Sequence, residues 1–123
     1  MSRIIKFFFY LQCNVKLYHW NTTKYSRHIA SDKLFSNILE HSDKFMEVYI
    51  GKYGRSKIIK ADDKIILENC DDKDIIRVIR EAIKFVKGDL VKLLNNKEDT
   101  DLLNILDELS ANLNQTLYLF TLE

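Results

Sequence analysis

No proline occurs anywhere in the 123 residues, and glycine occurs only three times. A chain so poor in turn-forming residues cannot reverse direction often. That excludes the many-turned all-β architectures and points to long helices joined by few connections. Hydrophobic residues at 46% beside charged residues at 30% are a globular balance, not a disordered one. The length suits a single domain over residues 1–123 that buries its core without a disulfide framework. Lys and Arg number 19 against 18 Asp and Glu, so there is no basic surplus to attract nucleic acid, and DNA is not an expected partner.

Cys13 and Cys70 lie far apart with no Cys-x-x-Cys, which leaves neither a zinc ribbon nor a redox motif. They read as buried or idle thiols in a reducing compartment. The apolar opening from Met1 to Leu11 is interrupted by Lys6, is too short to span a membrane, and has no small-residue cleavage site after it. The expectation is a cytoplasmic protein with no membrane partner.

Four helices are expected. The first covers about residues 2–20, where Ile4, Phe8, Leu11, Val15 and Tyr18 recur at spacings of four and three. The second covers about 25–53 and ends near Gly51 and Gly54. The third, about 72–94, starts at the capping candidates Asp71 and Asp72 and buries Ile75, Ile79, Ala82, Val86, Leu90 and Leu93. After a turn at Asn95-Asn96-Lys97-Glu98, the fourth covers about 99–121 on Leu102, Leu106, Leu109, Leu113, Leu117 and Phe120. Residues 55–70 form a crossover with a short helix expected around Asp62–Glu68. Short first and last links make antiparallel pairs. A middle link of some fifteen residues can run about 50 Å, the length of the second helix. An all-α, four-helix bundle with one long crossover is the ferritin-like arrangement.

The second helix carries the chemistry. At about 100° per residue, Leu34, Ile38, Phe45 and Val48 share one side with His41, which reads as a core histidine. Phe35, Leu39, Met46 and Ile50 lie roughly opposite. A helix in one small bundle needs a single apolar face, so the second face is a candidate interface with another subunit. His28, Asp32, Asp43 and Glu47 line that same side. One imidazole and three carboxylates form a donor set suited to iron, manganese or zinc. His28 and Glu47 are about 28 Å apart along a helix, too far for one ion. A two-fold pairing of copies would bring His28 and Asp32 of one beside Asp43 and Glu47 of the other.

The run His19-Trp20-Asn21, with His28, Asp32, Asp43 and Glu47 following, resembles the signature of the Dps family, the ferritin-like DNA-protection-during-starvation proteins. The resemblance spans about Leu17 to Gly54. Lys44-Phe45-Met46-Glu47-Val48-Tyr49 and Gly51-Lys52-Tyr53-Gly54-Arg55 also look like short ferritin-like proteins of phages and large DNA viruses. The resemblance implies an iron-oxidising site between two-fold-related subunits. His19, His28 and Asp32 would come from one copy and Asp43 and Glu47 from the other, with Trp20 beside them. It implies a homodimer or larger homo-oligomer through the second helix, in a host cytoplasm or a virion if virus-encoded. The two histidines are nine residues apart here and typically twelve in that family, the chain is shorter, and the basic tail is missing. His19 reads either as a ligand or as a helix-end structural histidine. The chain contains no Glu-x-x-His, so a di-iron site inside one bundle is not expected. The alternative is a non-catalytic helical oligomer, a viral structural or interaction protein using the same face for assembly.

Overall fold

The computed structural model describes residues 1–122 and contains four long helical segments and no strand among them. Helix α1 is Ser2–Asn21, α2 is Tyr25–Tyr53 and α4 is Thr100–Leu119. Helix α3, Asp74–Phe85, continues through a π-helical turn, Val86–Leu90, and a 3-10 turn, Val91–Leu93. Among the described residues, no helix is long and apolar enough to cross a membrane.

The apolar stripes form one core. Ile4, Phe8, Leu11, Val15 and Tyr18 of α1 are buried against Leu34, Ile38 and Phe45 of α2, with the stripes of α3 and α4 closing over them. Burying each such side chain contributes about 1.5–3 kcal/mol. Contacts along the helices set their mutual register. Helix α1 meets α2 through the edge-on Phe8–Phe45 pair, the Gln12 amide donating to Ser42 Oγ at 2.8 Å, and the His19 and His28 rings. Helix α2 meets α4 through Lys52–Asp101, Asn112–His41 and Arg27 over the Phe120 ring. Helix α1 meets the α3 segment through Arg3–Asp89 and Phe7–Phe85, and the turn before it through Tyr18–Asp72.

The ends are capped as their residues dictate. Asp71 Oδ1 accepts from the backbone N–H of Lys73 and Asp74, while Asp74 Oδ2 accepts from that of Asp71, a reciprocal N-terminal cap. The turn before α4 closes on Asn95 Oδ1, which accepts from Lys97 and Glu98. Gly54 ends α2 at φ +88°, a conformation that a side chain disfavours.

Two expectations are corrected. The crossover holds a 3-10 turn at Lys60–Asp62 instead of a helix at Asp62–Glu68. Buried Asn14 is the reason: its Nδ2 donates to the Ile66 carbonyl at 3.0 Å and its Oδ1 accepts the Glu68 N–H at 2.7 Å. Backbone groups engaged by α1 cannot also close a helical turn. With Ile59 N–H bound to Ser2 Oγ and Tyr10 donating to Glu68, the link is tied along α1 from Ser2 to Tyr18. Leu93 is 59% exposed, not buried. The π turn advances fewer degrees per residue and the chain then tightens, so Leu94 packs against the core in its place.

Candidate metal centre

The link between α1 and α2 is so short that the last turn of one and the first turn of the other lie side by side. On its inner side Tyr18 and Arg27 meet. Arg27 donates to the Tyr18 hydroxyl at 3.3 Å and to the Asp72 carbonyl at 2.8 Å, and lies over Phe120. Tyr18 donates to Asp72 Oδ1 at 2.6 Å, and Thr22 and Lys24 approach the same carboxylate. The Tyr18 hydroxyl bond, helped by Arg27 and Lys24, holds the Asp72 carboxyl below the usual carboxylate range. Burial pushes the Tyr18 phenol up. Asp72 thus gathers α1, the α1–α2 link, α2 and the start of α3, a role beyond the cap read from sequence.

The neighbours one step along each helix, His19 and His28, face each other, His19 buried and His28 half-buried. Their rings stack at 3.9 Å between centroids, 17° from parallel. Each Nδ1 bonds the other residue's backbone carbonyl: His19 to His28 at 2.8 Å, His28 to His19 at 2.9 Å. A carbonyl only accepts, so both Nδ1 atoms carry the hydrogen. A ring with its one hydrogen on Nδ1 has its lone pair on Nε2. Holding Nδ1–H on a carbonyl is how a metal-ligating histidine is oriented and its tautomer set. Ser31 completes the clasp, its hydroxyl donating to the His28 carbonyl at 3.1 Å and lying 3.3 Å from His19 Nδ1.

His19 Nε2 lies 3.8 Å from Asp32 Oδ1. Two donors bound about 2.1 Å from one ion are roughly 3–4 Å apart, so this pair fits a shared transition metal. His19, His28 and Asp32 are brought together, one turn apart on α2 and across the link. Asp43 and Glu47 are not. Both are exposed, about 22 and 28 Å along the helix from His28 at 1.5 Å per residue. Asp43 borders a cavity of about 180 Å³ with Phe8, Phe9, Gln12, Ser42 and Met46. Among the described residues, no group of three His, Cys, Asp or Glu side chains is close enough to hold an ion within one chain.

Trp20 is 68% exposed on the outside of α1, and borders a groove of about 320 Å³ with Cys13, Lys16, Leu17, Phe35 and Leu67. Of the four residues read as an interface, Leu39 is exposed, while Phe35, Met46 and Ile50 are half-buried. Phe35 and Met46 already pack in part against the chain's own core. His41 is also half-buried: its Nε2 accepts from the Asn112 amide at 2.7 Å, whereas its Nδ1 has no hydrogen-bond partner among the described residues and lies 3.7 Å from Glu108. It is therefore less fully satisfied than a core histidine. Sequence reading missed Lys16, whose ammonium lies 3.8 Å from Asp32 Oδ1 and 4.7 Å from the Phe35 ring centroid. Its position three residues before His19 on α1 was the available signal.

Fold and site together define an all-helical bundle with a backbone-clasped histidine pair at one end. Over residues 19–120 the chain matches the family described as "Family of unknown function (DUF5856)", and it belongs to that family. No curated protein and no solved structure matches it.

Proposed function

We propose that this chain is a Dps-like, ferritin-like protein that binds Fe(II) and passes its electrons to an oxidant at sites shared between two copies. The observation that carries this reading is the His19–His28 clasp, which sets His19 Nε2 3.8 Å from the Asp32 carboxylate. The register contacts support a ferritin-like order. Phe8–Phe45 and His19–His28 suit antiparallel α1 and α2, while Lys52–Asp101 and Arg27–Phe120 suit antiparallel α2 and α4. Lys87–Asp107 suits an antiparallel α3–α4 pair, and the crossover along α1 suits parallel α2 and α3.

In this reading Fe(II) is substrate. His19, His28 and Asp32 of one copy hold it together with Asp43 and Glu47 of the second. Two Fe(II) each give up one electron, peroxide takes both electrons and two protons, its O–O bond breaks, and two waters leave. The Fe(III) passes to mineral or solution. Zinc and manganese suit the same donors.

Anaerobic Fe(II) titration followed by peroxide tests this, with Trp20 fluorescence and ferric absorbance as readouts. Saturable binding, fluorescence loss on oxidation, and loss of both in the double variant Asp43→Asn, Glu47→Gln are expected. Iron binding no greater than in that variant would leave the second reading, a non-catalytic helical oligomer serving as a structural or interaction protein. The exposed apolar groove of Trp20 and Leu67 favours that alternative, which requires assembly to survive the double substitution.

A further inference from the structure

Charge is unevenly distributed over this chain. Helix α1 and residues 54–70, which run along it, carry seven Lys and Arg against three Asp and Glu, while the rest of the chain carries twelve against fifteen. Arg3 and Lys16 pair with Asp89 and Asp32. Lys6, Arg55, Lys57, Lys60 and Lys64 join none of the ion pairs among the described residues. The last four of these are exposed.

The same face exposes bulky apolar side chains. Ile66 is 73% and Leu67 63% exposed, Ile59 and Trp20 are more than half exposed, and Trp20 borders one groove with Leu67. The tripeptide Lys-Ile-Ile occurs twice, at 57–59 and 64–66, so each isoleucine pair stands directly beside a lysine. The long stem of a lysine keeps its ammonium in water while an adjacent apolar side chain is buried. Contiguous exposed apolar groups mark a binding surface. Set among unpaired cations, they match a surface that is anionic outside and apolar beneath.

We infer that the face formed by α1 and the crossover docks on an anionic lipid bilayer. Ile59, Ile66, Leu67 and Trp20 enter the boundary between headgroups and acyl chains, and the lysines lie among the anionic headgroups. The extended backbone stays at headgroup depth, where its polar groups remain hydrated. No described helix crosses a membrane, and a surface contact needs none. Nucleic acid fits less well, because isoleucine and leucine offer bases no ring to stack on. The contact requires neither iron nor a second copy.

Co-sedimentation of the full chain with vesicles of pure phosphatidylcholine, and of phosphatidylcholine mixed with phosphatidylserine, tests this. Trp20, the chain's single tryptophan, reports the face that docks. Binding to the mixed vesicles alone, with a blue shift of Trp20 emission and weakening at high salt, is expected. Lys60→Gln combined with Lys64→Gln should weaken binding roughly 25-fold, about fivefold for each charge at the bilayer surface. Ile66→Ser combined with Leu67→Ser should weaken it roughly tenfold or more, at low and high salt alike. Lys92→Gln combined with Lys97→Gln, outside this face, should bind as wild type does. Circular dichroism checks that each variant keeps its helices. An equal loss in the Lys92, Lys97 variant would mean that net charge alone attracts lipid, and would overturn the proposal. Binding with unchanged Trp20 emission would place the contact elsewhere and do the same. So would no binding to the mixed vesicles, whether or not a DNA oligonucleotide retains the chain under the same conditions.

Discussion

Asp99 illustrates how much a single side chain does in this fold. It is buried where α4 begins, accepts from the Asn95 backbone N–H and the Tyr53 hydroxyl, and pairs with Lys52 at 3.0 Å. The Asn95 bond first, then Tyr53 and Lys52, lower its carboxyl from 3.8 to about 2. Asp71, Asp72 and Asp101 are lowered as well. A carboxyl depressed in the folded state favours folding above its unfolded value and loses that contribution as pH falls through the folded value. The urea midpoint should therefore hold steady down to about pH 4 and drop between about pH 4 and 2. Asp99→Asn should begin with a lower midpoint at neutral pH and fall less steeply below pH 4. Parallel acid limbs for the two proteins would remove Asp99 from the account. At this scale the sequence was partly legible. Asp71 was readable as a cap because its partners are two and three residues away, whereas nothing local linked Asp72 to Tyr18 or Asp99 to Tyr53.

The elements were more legible, because helical periodicity is a local property. Every residue of the α1 stripe proved buried, as did all but the last of the α3 stripe. The exception lies beyond the π turn, where Gly88 interrupts the helix-forming residues. An added Cβ at Gly88 would meet nothing within 4 Å. Gly88→Ala should therefore stabilise the protein by about 0.5–1 kcal/mol, by reducing the freedom of the unfolded chain. Chemical denaturation measures it directly, and a loss of stability would mean that the widened turn needs glycine. The crossover was the least legible element. Its backbone partners are Ser2 and Asn14, more than fifty residues away in the chain, and no pattern within residues 55–70 reports them.

For the whole molecule, the proposed site depends on a second copy, since the histidine pair and the Asp43–Glu47 pair stand apart along α2. Sedimentation should accordingly find a dimer or larger species, and Leu39→Glu, at an exposed position on α2, should shift it toward monomer while helical content is kept. A wild-type monomer at the concentrations used for iron titration would remove the shared site. The sequence by itself determined the all-helical class, the approximate helix spans, the buried faces and the placing of His28, Asp32, Asp43 and Glu47 on one helix. These follow from composition and from spacings within one element. Only the tertiary structure decided that His19 and His28 clasp each other's carbonyls, that Lys16 reaches Asp32, that Trp20 stays outside, and that Asn14 unwinds the crossover. Each of those depends on how two elements are rotated and offset against one another, and side-chain packing sets that.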